Sequence, residues 1–124
     1  MKFNDFWALL KKETTNPITL RTLDQEKEFE AKYTIGKITI IPESSGEPRP
    51  IDQSHFRRVW NNACNKEKSE QLKPGNYQHI SVNASYIVAL MSHIVIDKDI
   101  ECESVSEFLK RRQERYQSRI KNNS

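Results

Sequence analysis

The chain is 124 residues long, 35% hydrophobic and 30% charged, with a formal net charge of +3. That length fits one domain of about 100–200 residues and excludes a two-lobed enzyme with a cleft between lobes. No apolar run approaches the roughly 18 residues needed to cross a bilayer, and Met1-Lys2-Phe3-Asn4-Asp5 has no signal-peptide core, so a soluble, cytoplasmic protein without membrane contact is expected.

The first element reads as a short amphipathic helix. Phe3, Trp7 and Leu10 repeat at helical spacing, with Phe6 and Leu9 widening the stripe. Asn4 is the expected N-cap, and Asn16-Pro17 the stop. Ile18-Thr19-Leu20 and Thr22-Leu23 then read as a short strand or bridge. Phe29, Ala31 and Tyr33 alternate with Glu28, Glu30 and Lys32, a period of two that places one strand face on a core. Ile35-Gly36 is a hairpin turn leading into Ile38-Thr39-Ile40-Ile41. Pro42 ends that strand, and Glu43 to Pro50 reads as a polar loop whose prolines exclude helix and central strand.

Asp52 opens a second helix as N-cap, with Phe56, Val59, Trp60, Ala63 and Cys64 on one face. Glu67 to Gln78 is a charged connection with a turn at Pro74-Gly75-Asn76. Asn83 caps a third, strongly apolar helix carrying Ile87, Leu90, Met91 and Ile94, the expected centre of the core. Ser104 and Glu107 form a capping box for a last helix, 103–121, anchored by Val105, Phe108 and Leu109, with Tyr116 and Ile120 further along. The expectation is one α+β domain over residues 1–124: a small β-hairpin or three-stranded sheet packed by about four helices. Phe56, Trp60, Ile87, Leu90, Met91 and Phe108 are expected to share its core with Phe29 and Ile40.

Charge is distributed unevenly. Residues 103–124 carry six basic and three acidic side chains, while the other 102 residues hold 14 of each. Lys110, Arg111, Arg115 and Arg119 bracket one broad face of the last helix, with Arg112 and Lys121 adjoining. Such side chains neutralise phosphates through charge-assisted bonds, and Tyr116 is placed to stack on a base or to cover the core. The plainer account is a solvated face in which Glu107 pairs with Arg111, and Glu114 with Arg111 or Arg115. A second basic set, Arg57, Arg58 and Lys66, is interleaved with Asn61, Asn62 and Asn65 on the second helix. Arginine and asparagine read guanine and adenine edges bidentately, but any exposed helix face is polar. This signal gains only if both basic sets share one side of the molecule.

Catalytic patterns are sparse. Glu30-Ala31-Lys32, with Asp24 upstream, matches half of a nuclease metal site, yet strand alternation explains it as a solvated face. His55, His79, His93, Cys64 and Cys102 lack short metal-ligand spacing, and the two cysteines form neither a disulfide framework nor a paired metal motif. Cys64 extends an apolar stripe and reads as a small core hydrophobe. With three glycines there is no P-loop and no dinucleotide fingerprint, so neither enzyme nor cofactor is expected.

Phe6-Trp7-Ala8-Leu9-Leu10, Ile18-Thr19-Leu20-Arg21-Thr22-Leu23 and Asn83-Ala84-Ser85-Tyr86-Ile87-Val88-Ala89-Leu90 together resemble a small winged-helix-like module of restriction enzymes and bacterial mobile-element proteins. Small proteins of integron cassettes and phages are a similar population. The family often has a basic residue where Asn83 stands and a proline where Val95-Ile96-Asp97 follows the late helix. The resemblance implies a DNA-associated defence or counter-defence role and carries over no catalytic residue. The resulting expectation is non-catalytic nucleic-acid binding through Lys110, Arg111, Arg115, Arg119, Arg57 and Arg58. The alternative is a protein-interaction module or inhibitor, or a homodimer, docking through its first and last helices.

Overall fold

Five aromatic side chains determine how the first two helices meet. In a computed structural model that describes residues 1–104, 106 and 108–114, helix α1 (Phe3–Glu13) lies against helix α2 (Gln53–Ala63). Phe6 stacks on Trp60 at 4.8 Å, Trp7 meets Phe56 at 5.4 Å, and Phe3 meets the Trp60 edge at 6.0 Å. Early residues of α1 thus meet late residues of α2, so the helices run antiparallel. Offset and edge-on ring contacts at these separations are the favourable geometries for aromatic quadrupoles.

Between these helices the chain forms a four-stranded antiparallel sheet in the order β1 (Ile18–Arg21), β2 (Glu28–Thr34), β3 (Lys37–Pro42), β4 (Arg49–Asp52). The fold is α+β. Register follows the alternation of the sequence: Ala31 faces Ile40 and Tyr33 faces Ile38, so Phe29, Ala31, Ile38, Ile40 and Ile51 fall on the buried side. Glu30 and Lys32 point away, exposed. Ile35 and Gly36 have φ of 43° and 79°, the paired positive values of a type I′ hairpin turn.

Helix α3 (Ala84–Val95) lies at the centre. Ile87, Val88, Leu90 and Met91 are fully buried, and α3 contacts α1, α2 and β1. Between α2 and α3 come two 3-10 turns, Lys68–Glu70 and Pro74–Tyr77. Tyr77 closes this connection: its ring is buried and its hydroxyl donates to the Gln71 carbonyl at 2.6 Å. Burial, and secondarily the charge of Glu70, push its phenol up to about 12. Lys73 and then Asn76 donate to the Glu70 carboxylate and hold it below the usual carboxylate range.

Several expectations need correction. The sheet has a fourth strand where a loop was expected. Its Pro50 is compatible with pairing because β4 is an edge strand and needs no N–H donor on its outer side. The N-cap of α1 is Lys2, not Asn4, which lies within the helix, and the helix ends at Glu13 before reaching Asn16-Pro17. Asp52 and Asn83 do occupy the N-cap positions of α2 and α3, but neither side chain makes a capping bond. Asp52 instead pairs with Lys37 across the β3–β4 ladder at 3.4 Å.

Phe108 and Leu109 do not join the core. They are 45% and 55% exposed, because this helical stretch rides on the surface of α1 and α2 rather than between layers. The two cysteines, expected unpaired, form a Cys64–Cys102 disulfide across 38 residues of chain. Cys64 packs partly buried against the core, as its place on the apolar stripe led one to expect, but as half of a disulfide that also anchors the segment beyond α3.

Candidate nucleic-acid interface

The segment after α3 returns along α2 and is tied to it residue by residue. Ile100 is buried, and the Gln71 amide donates to its carbonyl at 3.5 Å. The Trp60 indole N–H donates to the Glu101 carbonyl at 3.0 Å, the main polar outlet of an otherwise buried ring. The Met1 amino group donates to the Asp99 carbonyl at 2.6 Å and to Glu101 Oε2 at 2.5 Å. Cys102 then bonds Cys64 at the end of α2, and residues 106 and 108–114 are helical. The Phe108 N–H donates to the Ser104 carbonyl at 2.9 Å. Glu107 of the expected capping box and the expected anchor Val105 lie outside the described residues, as do Arg115, Tyr116, Arg119, Ile120 and Lys121.

This return path brings the two basic sets together. An open concavity of about 400 Å³ is lined by Lys2, Arg57, Lys110 and Arg111, set among the acids Asp5, Glu103 and Glu114. Lys110 is exposed, and the Arg57 guanidinium sits 4.4 Å from the Phe3 ring centroid. Arg111 has a structural partner. Its fork donates to both Glu103 oxygens, at 3.0 and 2.7 Å, which raises its already high pKa and fixes the turn into the helix. A lysine or arginine held this way has less to offer a phosphate than Lys110 beside it.

A second concavity of about 390 Å³ adjoins on the exposed side of α2, lined by Arg58, Asn61, Asn62, Asn65 and Lys66 with no carboxylate among them. Asn61 and Asn65 also line a third hollow, which contains the disulfide, Glu103, Ser104 and Phe108. One surface therefore runs from Arg58 and Lys66 through the asparagines to the exposed Phe108 ring. The sequence signalled the basic residues and asparagines; it gave no sign of Phe108 at this edge, because apolar periodicity assigned that ring to the core.

The remaining candidates do not converge. Glu30 and Lys32 are exposed on the outer sheet face, whereas Asp24 sits in the β1–β2 turn and accepts from the Ser85 hydroxyl at 3.2 Å. His93 lies 3.8 Å from a Glu13 oxygen at the end of α1. His55 Nδ1 is a buried atom without a hydrogen-bond partner. Among the described residues no three His, Cys, Asp or Glu side chains are grouped to hold a metal ion, and no helix is long and apolar enough to cross a membrane. No family model, curated protein or solved structure matches the chain.

Proposed function

We propose that this protein is a non-catalytic nucleic-acid-binding domain that contacts the phosphate backbone through α2 and the helical segment 108–114. The observation that supports the reading is the carboxylate-free concavity of Arg58, Asn61, Asn62, Asn65 and Lys66, which shares Asn61 and Asn65 with the hollow that holds Phe108, while Lys110 lines a separate concavity with Arg57. Cations neutralise phosphates, asparagine amides donate to and accept from base edges or sugar, and an exposed phenyl ring offers a stacking platform. Its cation content predicts salt-sensitive binding with modest sequence preference.

Docking on protein through the first helix has less support. Phe3, Phe6, Trp7 and Leu10 are all buried in the chain's own core, which leaves Leu9 as the exposed large apolar side chain of α1.

The test is fluorescence anisotropy with labelled duplex DNA, single-stranded DNA and RNA at rising salt. Each phosphate contact contributes a log–log slope of about −0.9 on duplex DNA. The Arg58→Gln/Lys110→Gln variant should keep its fold, since both side chains are exposed, and flatten that slope by about two units. Absence of binding to all three probes at low salt would overturn the proposal.

A further inference from the structure

We propose that the hollow beside the disulfide seats one unpaired nucleobase, so that the protein takes single-stranded rather than duplex nucleic acid. This inference rests on the nucleic-acid reading above and narrows its substrate class. The hollow measures about 330 Å³, and its lining includes Asn61, Asn65, Phe108, Glu103 and the Cys64–Cys102 bond. That size falls within the range of small-ligand sites, about 300–1,000 Å³. Its chemistry differs from that of the concavity it adjoins through Asn61 and Asn65. Arg58 and Lys66 supply positive charge there, whereas the hollow offers a ring, two amides and sulfur. Glu103, the one carboxylate among its described lining residues, is neutralised by the Arg111 fork at 3.0 and 2.7 Å. A neutral, partly apolar seat beside a cationic strip matches a nucleotide, whose base is flat and uncharged and whose phosphate is anionic.

The ring is supported in a position to meet a base face. Phe108 is 45% exposed, and the Arg111 guanidinium lies 5.3 Å from its centroid. Glu103 fixes that guanidinium in turn, so the ring stands at the surface against an anchored cation. A platform already held this way loses little freedom when a base arrives. Asn65 Nδ2 donates to the Asn61 carbonyl at 3.1 Å, which likewise orients one amide at the hollow.

The pairing state follows from which surface of a base these groups address. In a duplex the flat faces are covered by neighbouring base pairs, and only groove edges and phosphates are open. Phe108 needs a face, and the asparagine amides gain the Watson–Crick edge only where no partner strand occupies it. The cationic strip alone accepts either form, because phosphates are common to both.

Fluorescence anisotropy on the full chain tests the seat with probes of about twelve nucleotides: oligothymidine, oligouridine, an abasic strand of the same charge, and a DNA duplex. The two base-bearing strands should bind about tenfold tighter or more than the abasic strand and the duplex. Phe108→Ala should weaken the base-bearing strands about tenfold while leaving the abasic strand and the salt slope unchanged. Phe108→Tyr should keep the preference, since a phenol ring stacks as a phenyl ring does. Arg58→Gln should weaken base-bearing and abasic strands alike, because it acts on phosphate. Duplex bound as tightly as single strand, or Phe108→Ala weakening the abasic strand equally, would overturn the seat and leave the nucleic-acid reading standing. Absence of binding to every probe would overturn both.

Discussion

Trp60 shows how one side chain serves two layers. Its ring is fully buried against Phe6 and Phe3, and its N–H reaches the backbone of the returning segment at Glu101. Trp60→Ala removes both functions and leaves a large void, so chemical denaturation should show a loss of about 3–5 kcal/mol. Tyr77 responds to pH instead. With its phenol pushed up to about 12 from an ordinary 10.0, the unfolded chain releases that proton before the folded one does. The contribution is intact below the ordinary value and is lost as pH rises towards about 12. Tyr77→Phe should therefore lower stability at neutral pH by about 1 kcal/mol, for the lost bond to Gln71, yet flatten the decline between about pH 10 and about pH 12. Denaturant midpoints at several alkaline pH values decide it; an equally steep decline in the variant would place the titrating group elsewhere. Ile35 is a third case. A β-branched residue at φ 43°, with its side chain in solvent, is strained and gains no packing in return. Ile35→Asn suits a type I′ turn and should raise stability by about 1 kcal/mol, read as a melting temperature higher by a few degrees.

At the scale of elements, the central hairpin and the three helices follow closely from periodicity. Alternation over Phe29–Tyr33 and Ile38–Ile41 gave the two central strands and the buried face of each, because a single register shift would have exposed every apolar side chain. Spacing in α2 and α3 gave their core faces in the same way. The edge strand β4 was not legible: four residues containing a proline carry no pattern of their own, and only the open edge of β3 recruits them. The Cys64–Cys102 link was equally hidden, since a sequence separation of 38 gives no indication that the ends of two elements meet. Because that bond closes a long loop, Cys102→Ser should lower global stability by up to about 4 kcal/mol through the unfolded chain, even while the domain remains folded at room temperature. A variant melting with the oxidised protein would show that the loop closure contributes nothing.

For the whole molecule, electrostatics depends on tertiary placement more than on net charge. A charge of +3 over 124 residues is unremarkable, and the basic residues of α2 lie about fifty positions from those of the C-terminal segment. The candidate surface exists only because the chain turns back at Ile96–Cys102 and lays that segment along α2. What the sequence determined by itself is what short-range periodicity and composition encode: an α+β domain, the buried faces of its helices and central strands, the turn at Ile35-Gly36, and the excess of cations near the C-terminal end. Burial of alternate or every third-to-fourth residue is a local regularity, visible without knowing its partner. The tertiary structure alone decided which elements meet: the fourth strand, the disulfide, the pairing of Arg111 with Glu103, the burial of the α1 aromatics within the chain, and the exposure of Phe108. The strand pairing, the disulfide and the aromatic packing depend on groups far apart in sequence being brought within a few ångströms, and no local pattern records that distance. The Arg111–Glu103 pair, eight residues apart, and the exposure of Phe108 follow from where that path lays the segment.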